Sequence, residues 1–242
     1  MSGLTCVVPA RNEAEHLRSL IEQIKTIKDI SRIIIVEGGS VDTTWKEALK
    51  IESENPDLVL LIQQSNKGKF DAVLSAAKYI DTQMFMIWDA DGTVPLASNV
   101  NLINCALSTQ LPVIGDRLKG KIEPGAMQVA NFVANWLFAL IWIPIIGGKP
   151  TDLLCGSKIF PTKIILEMPL WLKRLDPYGD FALIGFARYK RLKINVITVD
   201  YNARSYGSTN INRWTGGISL IKLTILIYIR LFLINFFTRN LN

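Results

Sequence analysis

Apolar residues fall along the first half of the chain in short runs, separated by stretches in which they recur every three or four positions. Leu4 to Val8, Arg32 to Val36, Leu58 to Ile62, Met84 to Trp88 and Pro112 to Ile114 are runs of strand length with apolar residues at consecutive positions. That is the pattern of strands buried on both faces. Between them, Glu13 to Ile27, Asp42 to Glu52, Phe70 to Ile80 and Pro95 to Leu107 have helical spacing, the last with Pro95 at a first helical position. The β-α-β-α order predicts an α/β fold: a mostly parallel sheet flanked by helices.

The second half changes character. Residues 132–146 are almost wholly apolar but too short to span a bilayer, and they carry Pro144 near the end, so a buried or interfacial helix is expected. The stretch Ile218 to Phe237 is long enough to cross but contains Lys222 and Arg230, about 80° apart on a helix of 3.6 residues per turn. Both charges can face headgroups while Leu, Ile and Phe enter the acyl boundary. A single tilted C-terminal span, a core helix and a homodimer contact are the alternatives. No Pro/Gly/Ser-rich linker or internal repeat divides the chain, so the expected organisation is a catalytic domain over residues 1–217 followed by a membrane-associating helix and tail over 218–242.

Charge narrows the partners. Lys and Arg exceed Asp and Glu by 27 to 21 in 242 residues, which favours an anionic ligand or a membrane surface. The basic residues are scattered rather than gathered into a recognition module, so nucleic acid is not an expected partner. Cys6, Cys105 and Cys155 lack paired spacing and fit a reducing compartment rather than a zinc site or disulfide framework. His16 is the only histidine, among Glu13, Glu15 and Arg18, which argues against a histidine-dependent triad. Met1 to Pro9 has no basic start, so a cleaved secretory signal is not expected.

Each predicted strand ends in a polar or glycine-bearing cluster. Pro9-Ala10-Arg11-Asn12-Glu13 follows the first, Glu37-Gly38-Gly39-Ser40 the second, Gln64 to Lys69 the third and Asp89-Ala90-Asp91 the fourth. Ligands of parallel sheets bind beyond these strand ends. Asp-x-Asp alone is equally a pair of turn acids. As two hard-oxygen donors at the end of a buried strand, it also suits Mg²⁺ or Mn²⁺ bound to a diphosphate.

Together the clusters resemble the inverting family 2 glycosyltransferases of the A-type fold, the group that includes dolichyl-phosphate mannose synthase and bacterial polysaccharide enzymes. Val8 to Glu13 is similar to V-P-x-x-N-E. Val36 to Asp42 resembles D-D-G-S-x-D, with Glu37 for the first acid and Gly38 for the second. Asn66 to Phe70 resembles N-K-G-x-G with Phe70 for a glycine, and Asp89-Ala90-Asp91 matches D-x-D. Gly115-Asp116-Arg117 looks like G-x-R, Thr151 to Lys158 like T-D-x-x-x-G-x-[KR], and Arg204 to Asn210 like R-x-x-G-x-[ST].

The resemblance implies a metal-dependent enzyme moving a hexose from a UDP- or GDP-linked sugar to a membrane-associated acceptor, either a polyprenyl phosphate or a lipid-linked glycan. It further implies that Pro9, Arg11, Glu13 and Glu37 frame the nucleoside, that Lys67, Asp89 and Ala90 meet the nucleotide, and that Asp89 and Asp91 hold Mn²⁺ or Mg²⁺. Arg117 and Arg204 would stabilise the leaving diphosphate or an acceptor phosphate. Asp180, in Tyr178-Gly179-Asp180-Phe181, stands where related enzymes carry an acid and is the base candidate for a hydroxyl acceptor; a phosphate acceptor needs none. The expected location is peripheral, at the cytoplasmic face of a membrane. Two rival functions remain. One is a non-catalytic membrane-associated scaffold with a degenerate site, suggested by Gly38 and Phe70. The other is a sugar nucleotidyltransferase, which should carry a Gly-rich phosphate loop that Pro9 to Glu13 lacks.

Overall fold

The computed structural model of the protein describes residues 3–176, 178–204 and 213–233, with the backbone alone at 213–216 and 231–233. The chain runs β1 (Leu4–Ala10), α1 (Ala14–Lys25), β2 (Ile30–Glu37), α2 (Thr44–Glu54), β3 (Val59–Gln63), α3 (Lys69–Ala76), β4 (Met84–Ile87), α4 (Leu96–Thr109) and β5 (Val113–Asp116). It continues through α5 (Val129–Ile141), α6 (Ile143–Ile146), β6 (Lys158–Pro161), α7 (Thr162–Glu167), α8 (Leu170–Leu175), α9 (Asp180–Tyr189), β7 (Asn195–Thr198) and α10 (Arg213–Ile227). The strand and helix expectations for the first half hold to within a few residues at each end. One difference is that the helix expected at Phe70 to Ile80 closes at Ala76 into a 3₁₀ turn, Ala77–Tyr79.

The seven strands form one sheet in the order β3-β2-β1-β4-β6-β5-β7. β3, β2, β1 and β4 are mutually parallel, β6 runs antiparallel to both β4 and β5, and β7 is parallel to β5. Both faces are covered, which is why consecutive strand residues are apolar. Cys6, Val8, Ile33, Ile35 and Met86 point into a layer with Leu17 and Ile21 of α1, Ala48 of α2 and Leu102 of α4. Their neighbours Val7, Ile34, Val36, Phe85 and Ile87 point into the opposite layer, with Phe70, Trp142, Phe181 and Leu223.

α1 shows how the pattern becomes packing. Leu17, Leu20, Ile21 and Ile24 recur at helical spacing and are buried. On the outer side, Arg18 ties α1 to α2 through Glu47 and, at 2.6 Å, Glu54.

The apolar stretch at 132–146 is two helices rather than one. α5 ends at Ile141, and α6 follows with Pro144, which has no N–H to continue the ladder. Trp142 at the joint is fully buried and donates to Thr224 Oγ1 at 3.1 Å. α5 buries Asn135, Phe138 and Ala139 while Phe132, Val133, Trp136, Leu137 and Ile141 stay exposed.

α10 begins at Arg213, so the boundary expected at 217/218 falls inside this helix. Leu220, Leu223 and Ile227 are part of the core, whereas Ile218, Ile221 and Ile225 face outward. A π-helical turn, Tyr228–Leu233, follows. Among the described residues no helix is long and apolar enough to cross a membrane, so the alternative of a single C-terminal span is unsupported there; residues 234–237 of the expected helix lie outside the described residues.

Candidate active site

The chain steps from β1 to β2 to β3 on one side and then crosses back to place β4 on the other side of β1. Connections leaving two adjacent parallel strands in opposite directions open a crevice at their carboxyl ends. Pro9 to Glu13 emerges from β1 into that crevice, and Asp89 to Asp91 from β4.

The two acids are held differently. Asp89 Oδ1 pairs with Lys69 Nζ at 2.5 Å, and its other oxygen lies against Gly156, where an added Cβ would come within 1.7 Å of Oδ2. Asp91 Oδ1 accepts from Thr93 N at 3.1 Å and Thr93 Oγ1 at 2.8 Å, while its Oδ2 pairs with Arg204. Ala90 between them is buried, and this one small residue separates the two carboxylates. Burial alone would raise the Asp89 carboxyl; Lys69, with Lys158 and Arg117 behind it, outweighs burial and holds it below the usual carboxylate range. Glu13 is half-buried near both acids. Burial, then the charges of Asp91, Asp89 and Asp42, push it up to about 7 against the opposing pull of Arg204.

The loops after β1 and β2 brace one another. Asn12 Oδ1 accepts from Val41 N, Ser40 Oγ accepts from Asn12 N, and Thr44 Oγ1 accepts from Glu13 N, each at 2.9 Å. Asn12 takes a left-handed φ of 57°, which asparagine tolerates better than most residues. Glu37 is buried and spends its carboxylate on the N–H groups of Gly39 and Ser40, so it shapes the turn from within. Gly38 leaves room that the Gln64 amide fills: Gln64 Oε1 lies 3.0 Å from where a Gly38 Cβ would stand, and its Nε2 donates to Gly68 O at 2.6 Å. Pro9 and Arg11 line the same crevice, with Arg11 exposed. Lys67 is exposed on the loop, and it is Lys69, two residues on, that reaches the acid pair. Phe70 is buried against Gly179, whose φ of 82° and tight contact leave no space for a side chain.

The remaining candidates are paired. Arg117 Nε and Nη2 fork onto Asp152 at 2.5 and 3.1 Å, and its guanidinium lies 4.8 Å from the Tyr201 ring centroid. Asp152 is fully buried and also accepts from Asn135 Nδ2 at 2.6 Å. Burial would raise the Asp152 carboxyl, and the Arg117 guanidinium beside it holds it below the usual range. Asp180 opens α9 and accepts from Lys158 Nζ at 2.6 Å; Lys158 is itself fully buried and also donates to the Cys155 carbonyl. Behind it, Asp176 accepts from the N–H groups of Tyr178 and Ala182. Burial and the charge of Asp180 push Asp176 up to about 6. Arg204 reaches back to Asp91, while residues 205–210 of its expected motif lie outside the described residues.

Among the described residues no group of three or more His, Cys, Asp or Glu could hold a metal ion by itself. The two carboxylates of Asp89 and Asp91 are hard oxygen donors and fit Mn²⁺ or Mg²⁺ as part of a shell completed by diphosphate oxygens and water. Sequence reasoning missed Lys69, Lys158 and Gly156 as parts of this arrangement. Their motif positions were visible, but only the packing of α3, α9 and the loop before β6 brings them to Asp89 and Asp180.

Comparison with known proteins bears on the family and the fold. Residues 5–106 match the profile of Glycosyl transferase family 2. Glycosyltransferase AglJ of Haloferax volcanii is 29% identical over 223 residues, covering 90% of this chain and 70% of that protein. A dolichyl-phosphate beta-glucosyltransferase of Trichomonas vaginalis is 27% identical over 214 residues, covering 82% of this chain and 65% of its own length. In fold, the chain is similar to glucosyl-3-phosphoglycerate synthase from Mycobacterium tuberculosis in complex with UDP, with a TM-score of 0.67 at 18% identity, covering 93% of this chain and 80% of that one. Another structure of that synthase, with Mn²⁺, UDP-glucose and phosphoglyceric acid, has a TM-score of 0.66 at 18% identity and covers 93% of this chain and 79% of that one. Residues 5–106 thus carry the match to glycosyl transferase family 2, and with relatives that are glycosyltransferases over most of its length the chain is a glycosyltransferase.

Proposed function

We propose that the protein transfers a hexose, with inversion, from a UDP- or GDP-linked sugar to the phosphate of a membrane lipid, using a divalent cation held by Asp89 and Asp91. The observation that carries it is the carboxylate pair at the β1/β4 crevice with Lys69 and Arg204 beside it. Cleavage of the sugar–diphosphate bond builds negative charge on the leaving phosphate, and a bound Mn²⁺ or Mg²⁺ supplies Lewis-acid stabilisation of that charge. Lys69 and Arg204 stand where they can donate N–H groups to the same oxygens. Arg11, Glu13 and the Gln64 amide border the space for the nucleoside.

The state of Asp180 supports a phosphate acceptor. This carboxylate is buried, and one of its two oxygens is engaged by a buried lysine that favours its ionised form. A phosphate is already an anionic nucleophile and asks for no base. In that case Asp180 positions Lys158 and the start of α9. The relatives named as dolichyl-phosphate glucosyl- and mannosyltransferases point the same way.

The outer surface supports a membrane partner. α5 exposes Phe132, Val133, Trp136, Leu137 and Ile141, and α10 with its π-helical extension exposes Ile218, Ile221, Ile225 and Ile229. The two faces are tied together where Tyr228 Oη donates to Ile141 O at 2.7 Å. Arg230 lies over the Trp171 ring of α8 at 5.0 Å, an amphipathic pairing suited to a headgroup boundary. The three cysteines are free, in accord with a reducing compartment and the cytoplasmic face of a membrane.

The test is release of nucleoside diphosphate from a panel of UDP- and GDP-sugars with Mn²⁺, comparing polyprenyl phosphate with a neutral lipid-linked glycan as acceptor. Release with the phosphate lipid, lost in Asp91→Ala, is expected. Transfer confined to the hydroxyl acceptor would reject the phosphate acceptor. No release above Asp91→Ala with any pairing would reject the whole proposal.

A further inference from the structure

Lys69 Nζ sits 2.5 Å from Asp89 Oδ1, and the Arg204 guanidinium pairs with Asp91 Oδ2. The remaining oxygens are engaged elsewhere: Asp91 Oδ1 by Thr93, and Asp89 Oδ2 packed against Gly156. One oxygen of each acid is thus covered by a cation. Two carboxylates against two cations leave the pair close to neutral. Lys158 and Arg117 also favour the ionised Asp89, although each is itself paired, with Asp180 and Asp152 respectively.

We infer that Lys69 and Arg204 are placeholder cations, which neutralise the acid pair until a nucleoside diphosphate arrives and then pass to its phosphate oxygens as the metal takes their place. This rests on the proposal that the pair holds a metal–diphosphate. A divalent ion entering alone has to displace an ammonium and a guanidinium into solvent, with no new partner for either. Entering with a diphosphate, it meets the same acids, but the displaced cations gain phosphate partners within the site. Lysine suits the exchange because its ammonium is a point charge on a flexible four-carbon stem that can turn from carboxylate to phosphate without a fork geometry to rebuild. Metal and nucleotide thus assist each other's binding, and the assistance is reciprocal. Lys69 thus meets the acid first and the phosphate afterwards, and it prevents the acids from trapping a metal ion before the donor is present.

The experiment measures free Mn²⁺ by electron paramagnetic resonance during titration of the full chain, with and without UDP or GDP. In the wild type, nucleotide should tighten Mn²⁺ binding by at least about tenfold, within the usual range of coupling between sites. In Lys69→Met, Mn²⁺ alone should bind about five- to tenfold tighter than in the wild type, and the nucleotide enhancement should shrink to about twofold. Lys69→Gln serves as a second variant should the methionine chain fail to fold, with a melting curve recorded for each. Unchanged Mn²⁺ binding in these variants with the enhancement intact overturns the inference, as does parallel loss of Mn²⁺ and nucleotide binding, which would make Lys69 a structural residue. If neither nucleotide promotes Mn²⁺ uptake by the wild type, the metal–diphosphate proposal itself fails.

Discussion

Replacing Gly156 with alanine would displace Asp89 without replacing any side chain that could contact the substrate. A Cβ at this position would lie 1.7 Å from Asp89 Oδ2, 2.3 Å from Cγ and 3.1 Å from Cβ. Non-bonded carbon and oxygen atoms come no closer than roughly 3.2 Å, so the carboxylate has to withdraw by about 1.5 Å. Gly156 is not among the glycines with positive φ, so alanine adds no backbone strain and the damage stays with the acid. Withdrawal breaks the Lys69 pair and carries a metal-binding oxygen away from its place. Misplacement on the order of 1 Å costs about 10²-fold in rate, or about 2.7 kcal/mol of transition-state stabilisation. Overpacking should cost the fold about 1–3 kcal/mol. The assay is kcat/KM for nucleoside diphosphate release, run beside a melting curve and a double variant with Asp89→Ala. Because both changes act on one carboxylate, the double variant should be little worse than Asp89→Ala alone. Wild-type kcat/KM in Gly156→Ala, with an unchanged melting temperature, would refute the placement of Asp89 against Gly156.

Arg117→Ala strands the buried Asp152 carboxylate and should lower stability by about 3–5 kcal/mol in urea unfolding, with Arg117→Met/Asp152→Leu recovering part of the loss. Asp176, raised to about 6, makes stability pH-dependent in a stated direction. Its folded form holds a proton more tightly than the unfolded carboxyl at about 4, so its contribution is full below pH about 4 and is lost as the pH rises through about 6. Asp176→Asn should remove that loss, measured as the difference in urea midpoint between wild type and variant at pH 4 and pH 7. Trp136→Glu and Ile225→Glu lie on exposed faces. They should shift stability by no more than about 0.5 kcal/mol, yet reduce co-sedimentation with anionic vesicles severalfold; equal sedimentation would argue against membrane contact by α5 and α10.

The sheet of the first half was legible because its strands are apolar at consecutive positions, largely buried except at the edge strand β3, and each helix is buried on one face, so period and run length alone separate them. Leu17, Leu20, Ile21 and Ile24 announce α1 without any tertiary information. The later elements were not legible in the same way. β6 opens on a lysine and closes on a proline, β7 is bounded by Asn195 and Thr198 with only two apolar residues between, and α9 is buried almost all round, from Asp180 to Ala187, so it shows no polar face. The break at Trp142 was hidden because Pro144 sits one position inside α6, where a proline is tolerated.

The sequence by itself determined the α/β order, the four polar strand ends and the placing of Asp89 and Asp91 on one of them, since those follow from local hydrophobic pattern and short motifs. Only the tertiary structure decided which charges meet. Lys69 rather than Lys67 reaches Asp89; Arg117 forks onto Asp152, thirty-five residues away; and Asp180 is held by Lys158 across the sheet edge. A charge pair is set by side-chain distance and burial, which depend on how α3, α9 and the loop before β6 pack together, and no periodicity along the chain encodes that. The departures at Gly38 and Phe70 have the same cause. Gln64 fills the one and Gly179 accommodates the other, each through a neighbour distant in sequence.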